Sequence, residues 1–409
     1  AKSNLKSNNL LPANDGWNIK NIHSKLDMII LGMHAKKDNP ELLEAQKKNI
    51  PTLSFPEYIS RYSIDKKRVV IAGSHGKTTI TGMIMHVLND NNIKFYYLVC
   101  AKIDLLDKQV HLKNNDVVII EGDEYLSSAI DSTPKFMYYH PHLLVVSGVA
   151  WDHFNVFPTL SSYQNAFKML LNQVVKTAGK IFYCDNDDFL TSFLKQSKSI
   201  VPYSLPEYLV EDGRFCIIHN CKKYPINVFG QHNLYNLQAA NYICNELGVS
   251  DKNFYLSIKN FRGASNRLSL IKNLKNQSSI YYDFAHSPSK VLATINAVRE
   301  LHPTRYLLAC LELHTFSSLN IDFLPNYSNV FLECDEIWIY VDKNTQTSKG
   351  LIKLTSSFIC KTINHDHVLV FNKKESIENK VKNIRFSNTN LLLMSSGNFS
   401  GINFEKIFK

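Results

Sequence analysis

Long apolar runs are missing from this chain of 409 residues. None approaches the ~20 consecutive apolar residues that a membrane-spanning helix needs, so no helical span and no membrane partner are expected. The opening stretch, Ala1 to Asn9, is polar and lacks the apolar centre of a secretory signal, which points to the cytoplasm. Cysteine is sparse and scattered: Cys100, Cys184, Cys216, Cys221, Cys244, Cys310, Cys334 and Cys360. None forms a Cys-x-x-Cys, and the nearest pair, Cys216 and Cys221, has no matching second pair. A zinc site and a disulfide framework are thereby disfavoured, and reduced, mostly buried thiols are expected. No internal repeat and no low-complexity linker occurs. The Asn-Lys-x-Asp base-reading motif of a switch GTPase is also absent.

What is present is ordinary globular composition, with 44% hydrophobic and 20% charged residues, too much chain for one core at roughly 150 residues per domain. Lys plus Arg exceed Asp plus Glu by 46 to 36, a net charge of +10. The lysines are spread rather than clustered in a chain rich in Lys, Asn and Ile. The surplus therefore reflects composition more than a nucleic-acid surface, and no nucleic-acid partner is expected.

Short apolar runs alternate with amphipathic stretches. Residues 28–32, 68–73, 117–121, 143–147, 280–284, 306–311, 336–341, 367–371 and 391–395 read as buried strands. Residues 40–48 read as a helix with Asn39 as N-cap and Pro40 at the first position, and 78–89 as another. Strands alternating with helices imply mainly parallel sheets covered on both faces, an α/β fold. Composition shifts near 64–67 and 272–279 give three expected domains: 1–66, 67–272 and 273–409. The first holds too little for a stable domain by itself.

The strongest local signal runs from Arg68 to Thr79, where a strand enters Gly73-Ser-His-Gly76-Lys77-Thr78-Thr79 and a helix follows. Glycines let backbone N–H groups turn in around phosphates, the helix N-terminus adds its positive end, Lys77 reaches the β and γ phosphates and Thr78 offers a hydroxyl to Mg²⁺. Ile71 stands where the strict eight-residue motif has its first Gly, so the loop is a shorter variant. A metal-holding carboxylate is needed at a neighbouring strand end. Residues 117–124 supply Glu121, Asp123 and Glu124 there, of which Glu121 and Glu124 are preferred; a solvated acidic turn is the alternative. Trp151-Asp152-His153 follows the next strand, at the sheet's carboxyl end, which makes His153 a candidate second-metal ligand.

Taken in order, the motifs resemble those of the Mur ligases, the ATP-dependent amide ligases of peptidoglycan synthesis. The phosphate loop, Glu121-Gly-Asp-Glu124, Asp152-His153, Gly230-Gln-His-Asn233-Leu-Tyr-Asn236, Gly263-Ala-Ser-Asn-Arg267 and Asp283-Phe-Ala-His286-Ser-Pro288 are similar to the family's motifs, over residues 28 to 401. The resemblance implies three lobes. These are a partial Rossmann-like UDP-sugar lobe, a central P-loop ATPase with a mainly parallel sheet, and a Rossmann-like C-terminal lobe. It also implies activation of a carboxylate as an acyl phosphate by ATP and Mg²⁺, followed by attack of an amine. Gly73, Ser74, His75, Gly76, Lys77, Thr78 and Thr79 then bind the phosphates. Lys77 and Arg267 neutralise the moving phosphoryl group. Thr78, Glu121 and Glu124 hold the first metal, and His153 the second. Asn233 and Asn236 contact adenine, and Asp283 the ribose. Helix capping is the alternative for the two Asn, and a surface ion pair for Arg267. For His286, nucleotide contact and capping both stand. His34 and Asn39 resemble the UDP-sugar side, although Asn39 is equally accounted for as a helix cap.

The nearest likeness within the family is to the branch that takes UDP-N-acetylmuramate. Met394-Ser-Ser-Gly397-Asn-Phe-Ser-Gly401-Ile resembles the member that adds L-alanyl-γ-D-glutamyl-meso-diaminopimelate in recycling, and addition of L-alanine is the alternative. The chain departs from the family in three places. The opening Gly-rich nucleotide loop has no counterpart, so a partial first lobe is expected, with an inactive ATP-binding remnant as a further alternative. Phe167 stands where several relatives have a carbamylated lysine, and Lys168 is not given that role. Glu312-Leu-His314 lies where relatives place an arginine that grips the incoming carboxylate. Folylpolyglutamate synthetases share the three-domain plan, but Asp-Phe-Ala-His and Glu-Gly-Asp-Glu fit the Mur side better.

Overall fold

The structure, a computed structural model, describes residues 2–12, 16–33, 35–100, 109–112, 115–153, 156–263, 267–348 and 353–408. His34 lies outside the described residues. Two compact units are present: residues 1–64 with 124–139, and residues 65–123 with 140–409.

The first unit is built on a short parallel pair, Ile29–Leu31 with Thr52–Ser54. The helix Pro40–Lys47 starts where expected, because Asn39 Oδ1 accepts from the N–H groups of Glu41 and Leu42 at 2.9 and 3.0 Å. Asn39 thus has the cap role that needs no ligand. A second helix, Phe55–Tyr62, carries a capping box between Ser54 and Glu57. Residues 124–139 add a small antiparallel hairpin and a 3₁₀ turn that packs on this helix.

The second unit holds two large sheets. The central one has seven strands, in the order Ile200–Tyr203, Lys180–Cys184, Leu143–Val146, Lys67–Ala72, Val117–Glu121, Tyr96–Leu98 and Val110–His111. All neighbours are parallel except the last pair. Val69, Val70, Ile71 and Ala72 are fully buried, which is why this strand reads as a continuous apolar run rather than an alternating one. The strand after the phosphate-loop strand in space, Val117–Glu121, and the one before it, Leu143–Val146, run the same way. The segments beginning at Glu121 and Ser147 therefore emerge beside the loop.

A three-stranded antiparallel sheet, Tyr208–Pro225, follows in the chain. The C-terminal sheet has six strands, in the order Ser269–Leu274, Ser278–Asp283, Thr389–Met394, Tyr306–Glu312, Glu336–Tyr340 and Val368–Phe371. Only its first pair is antiparallel. Its antiparallel edge strand spans residue 272. The fold is α/β, with parallel-rich sheets, as the motif order implied. All eight cysteines are free, and five of them are buried. Phe167 is fully buried on the helix Leu160–Lys176 against Tyr163, while Lys168 Nζ lies 5.7 Å from the Phe189 ring centroid. Among the described residues no helix is long and apolar enough to cross a membrane.

Candidate active site

The phosphate loop is shaped by two glycines with left-handed backbone, Gly73 at φ 125° and Gly76 at φ 75°. A Cβ on Gly73 would stand 2.3 Å from Ser147 Oγ, and one on Gly76 would stand 2.1 Å from Asn236 Oδ1. Conformation and close approach both demand glycine here. The loop is fastened from outside. Its Ser74 N–H donates to the Gly148 carbonyl at 2.9 Å, Ser74 Oγ and the Tyr163 hydroxyl are 2.9 Å apart, and the Ser147 hydroxyl donates to the His75 carbonyl. Lys77 Nζ donates to the Gly73 carbonyl at 2.5 Å, holding the ammonium over the loop. The helix Lys77–Asp90 starts at Gly76 and turns its positive end toward the same place.

Glu121 ends its strand beside this helix. Its Oε1 accepts from the Thr78 hydroxyl, and its Oε2 accepts from the Cys100 N–H at 2.6 Å. From the C-terminal sheet comes Asp283, buried at a strand's carboxyl end. It accepts from Leu268 N–H at 3.1 Å through Oδ1 and from the Thr294 hydroxyl through Oδ2. Arg267 stacks its guanidinium 4.5 Å from the Phe284 ring centroid. Burial lowers the Arg267 pKa, and the negative charges of Asp283 and Glu121 oppose that.

On the helix Gln231–Glu246, Asn233 Nδ2 donates to the Phe229 carbonyl at 2.9 Å and Asn236 Nδ2 to Asn233 Oδ1 at 3.3 Å. Neither bond is a side-chain cap of the helix, whose N-cap is Gly230, and the Asn236 carbonyl oxygen is turned to Gly76. Burial disfavours the charged form of three histidines, His75, His232 and His286. Burial, then the nearby Lys290 charge, lowers His75 to about 3 and His286 to about 4. Burial also lowers His232, against the pull of Asp283.

These side chains converge. Ser74, His75, Gly76, Lys77, Thr78, Thr79, Glu121, His153, Asn233, Asn236, Arg267 and Asp283 all line one cavity of about 300 Å³. Gly73 stands at its edge, as the carbonyl partner of Lys77. An adjoining cavity of about 750 Å³ shares His75, Gly76, His232 and Asn236 and extends to Tyr235 and Asn296. Sequence reasoning passed over Asp123, which lines the first cavity, and over Lys290, Phe284 and Thr294, which do the same. Glu124, by contrast, is buried in the first unit. Among the described residues no three His, Cys, Asp or Glu side chains form a ready-made metal cage. The donors at hand, Thr78, Glu121 and Asp123, are a hydroxyl and two carboxylates, oxygen donors of the kind that hard divalent cations prefer.

A second cluster sits at the ends of the C-terminal strands. Buried Glu312 accepts from the Ser395 hydroxyl and from Phe399 N–H at 2.8 Å, and His314 Nδ1 is 3.9 Å from its other oxygen. Gly397 is pressed against both, since its Cβ would stand 2.9 Å from Glu312 Oε2 and from His314 Nδ1.

A phosphate loop on a parallel sheet, faced by Arg267, Asp283 and the first turn of a helix from a second sheet, is the frame of an ATP-dependent carbon–nitrogen ligase. Residues 71–244 match the family model of the Mur ligase middle domain, and the likeness to Mur ligases extends well beyond them. The chain is 24% identical over 387 residues to a UDP-N-acetylmuramate–L-alanine ligase of Aquifex aeolicus, covering 91% of this chain and 82% of that one. It is 27% identical over 300 residues to a UDP-N-acetylmuramate–L-alanyl-γ-D-glutamyl-meso-2,6-diaminoheptandioate ligase of Haemophilus influenzae, covering 69% of this chain and 65% of that one. Its fold matches the crystal structure of the UDP-N-acetylmuramate-alanine ligase MurC of Thermotoga maritima. The TM-score is 0.66 at 18% identity, covering 94% of this chain and 84% of that one. Residues 71–244 are thus similar to a Mur ligase middle domain, and the enzyme class is the one that the six motifs implied.

Proposed function

We propose that the protein joins the carboxylate of UDP-N-acetylmuramate to the amine of L-alanyl-γ-D-glutamyl-meso-diaminopimelate, through an acyl phosphate made with ATP. The observation that carries this reading is the convergence of the loop, Glu121, Arg267, Asp283 and the two Asn on one cavity. Forming an amide from a free carboxylate is uphill in water, so the acid must first be phosphorylated. Lys77, the loop N–H groups and the helix N-terminus receive the phosphates. Arg267, already desolvated against Phe284, meets the charge that develops as the γ-phosphoryl group moves. Asn236 and Asn233 offer amide groups to the base, and Asp283 keeps a lone pair on each oxygen for ribose hydroxyls. Thr78, Glu121 and Asp123 would hold Mg²⁺, whose charge offsets the repulsion between carboxylate and phosphate. His153 is proposed as the ligand of a second metal on family resemblance alone.

The tripeptide is preferred as amine because the segment Met394 to Ile402 resembles that branch, and its Gly397 packs on Glu312 and His314. L-alanine is the second reading, favoured by the relative from Aquifex aeolicus, which matches along more of the chain. The test is phosphate release from ATP and Mg²⁺ with UDP-N-acetylmuramate, with L-alanine or the tripeptide added in parallel. Release with the tripeptide alone supports the main reading, and release with L-alanine alone replaces it by the second. Release with neither, while ATP still binds, overturns both in favour of an inactive nucleotide-binding protein.

A further inference from the structure

Among the described residues that line the first cavity, Lys290 is the one lysine besides Lys77, and none of the six motifs contains it. It sits in the first turn of the helix Pro288–Leu301, which belongs to the C-terminal sheet's layer. Its Nζ reaches out to Asp152 Oδ2 at 2.9 Å, and both side chains are largely buried, 18% and 12% exposed. Asp152 follows a strand of the central sheet, so the pair ties one lobe to the other. The other oxygen of the same carboxylate, Oδ1, accepts from the backbone N–H of His153 at 2.8 Å. His153 needs such a hold, because its φ is 54°, a left-handed conformation that is unfavourable for a residue other than glycine. The adjacent residue of the helix takes a parallel contact: Ser289 Oγ lies 2.7 Å from Nε2 of His75 in the phosphate loop.

We infer that Lys290 is a positioning residue, which acts through Asp152 to hold His153 in the cavity only while the C-terminal lobe is seated on the central one. One carboxylate is shared between the two lobes. Its Oδ2 needs the lysine, and its Oδ1 fixes the strained turn. When the helix Pro288–Leu301 withdraws, Asp152 loses its cation and turns to water, and the turn that aims His153 relaxes. Assembly of the phosphate side of the site is thereby made conditional on lobe docking. The inference deepens the ligase reading and rests on it for its kinetic consequence, but not for the structural claim.

The test uses the full chain with Lys290→Met and Lys290→Arg. Hydrogen–deuterium exchange of residues 147–153 reads the turn directly. In Lys290→Met this segment is expected to exchange at least about tenfold faster than wild type, and Lys290→Arg is expected to return most of the protection. In phosphate release, Lys290→Met is expected to lower kcat by about 10²-fold, the scale of a misplaced group. KM for ATP should change by no more than about threefold, because uniform nucleotide binding is not what is lost. Unchanged exchange in Lys290→Met overturns the inference. So does a raised KM for ATP at unchanged kcat, which would make Lys290 a simple nucleotide anchor. If wild type releases no phosphate with any acceptor, the ligase reading fails, and the exchange comparison still decides the role of Lys290.

Discussion

Replacing Gly76 by alanine should damage the site through two separable terms. The first is conformational. At φ 75° an L side chain costs about 1–2 kcal/mol. The second is a collision, since the new Cβ would stand 2.1 Å from Asn236 Oδ1. Asn236 is buried, and its Nδ2 donates to Asn233 Oδ1. Moving it forfeits that bond, a net loss of about 0.5–1.5 kcal/mol. Together the terms come to about 1.5–3.5 kcal/mol, or roughly 10- to 400-fold in an equilibrium constant. A loop that stays in place loses this as stability, and a loop that shifts loses it as ATP affinity. Both must therefore be measured, by denaturant unfolding and by titration with ATP, and their losses summed. Asn236→Ala separates the terms. Without Oδ1 the collision is gone, so in that background Gly76→Ala should cost only the conformational part, a coupling of about 0.5–1.5 kcal/mol between the sites. Wild-type stability and affinity in Gly76→Ala, or strict additivity in the double variant, would refute the reasoning.

Three further outcomes are expected. Lys77→Ala should fold normally and lower the rate of phosphate release by about 10²–10³-fold, since it removes a preorganised cation from the phosphates. Arg267→Lys should recover only a small part of the activity lost in Arg267→Met, because an ammonium cannot stack on Phe284 as the planar guanidinium does; near-complete recovery in a rate assay would contradict that. His286, lowered to about 4 by burial and the charge of Lys290, is neutral in the fold and titrates near its ordinary value when unfolded. The unfolded chain therefore binds the extra proton between those two values. Stability falls as pH drops from about 6.5 toward 4, with a slope from this group of up to about 1.4 kcal/mol per pH unit. His286→Gln should remove that share of the slope in urea unfolding at a series of pH values.

The long strands were legible because a parallel sheet with helices on both faces buries both sides of each strand, so 68–73, 117–121 and 143–147 stand out as unbroken apolar runs. The short edge pieces were not. Val110–His111 is half-buried, and the hairpin strands Tyr208–Glu211 and Lys222–Pro225 mix apolar and charged residues with no alternation. Their pairing is decided by tertiary neighbours. Most of the cavity's lining could be read from six short motifs, because a phosphate loop needs particular residue types at particular spacings. Asp123 and Glu124 could not be ranked that way. They are adjacent acids after one strand, and only the fold shows the first lining the cavity and the second buried in the other unit. Lys290 carried no local signal at all. A lysine after Ser-Pro-Ser is unremarkable until the fold brings Asp152, 138 positions earlier, to its ammonium.

The first unit is discontinuous in the chain: residues 1–64 are completed by residues 124–139. During synthesis it therefore cannot finish folding when its own first segment leaves the ribosome. It must wait while the phosphate-loop strand, its helix and the strand ending at Glu121 are made. Contacts between the helix Phe55–Tyr62 and the turn Lys135–Tyr138 close a loop of that length, which slows their formation. In that interval the face of the helix Phe55–Tyr62 that the turn later covers has no cover from it. Expressed without 124–139, the first segment would lack the hairpin and turn that cover one of its helices. A fragment intended to isolate this unit should therefore carry both pieces, joined across the gap by a flexible linker.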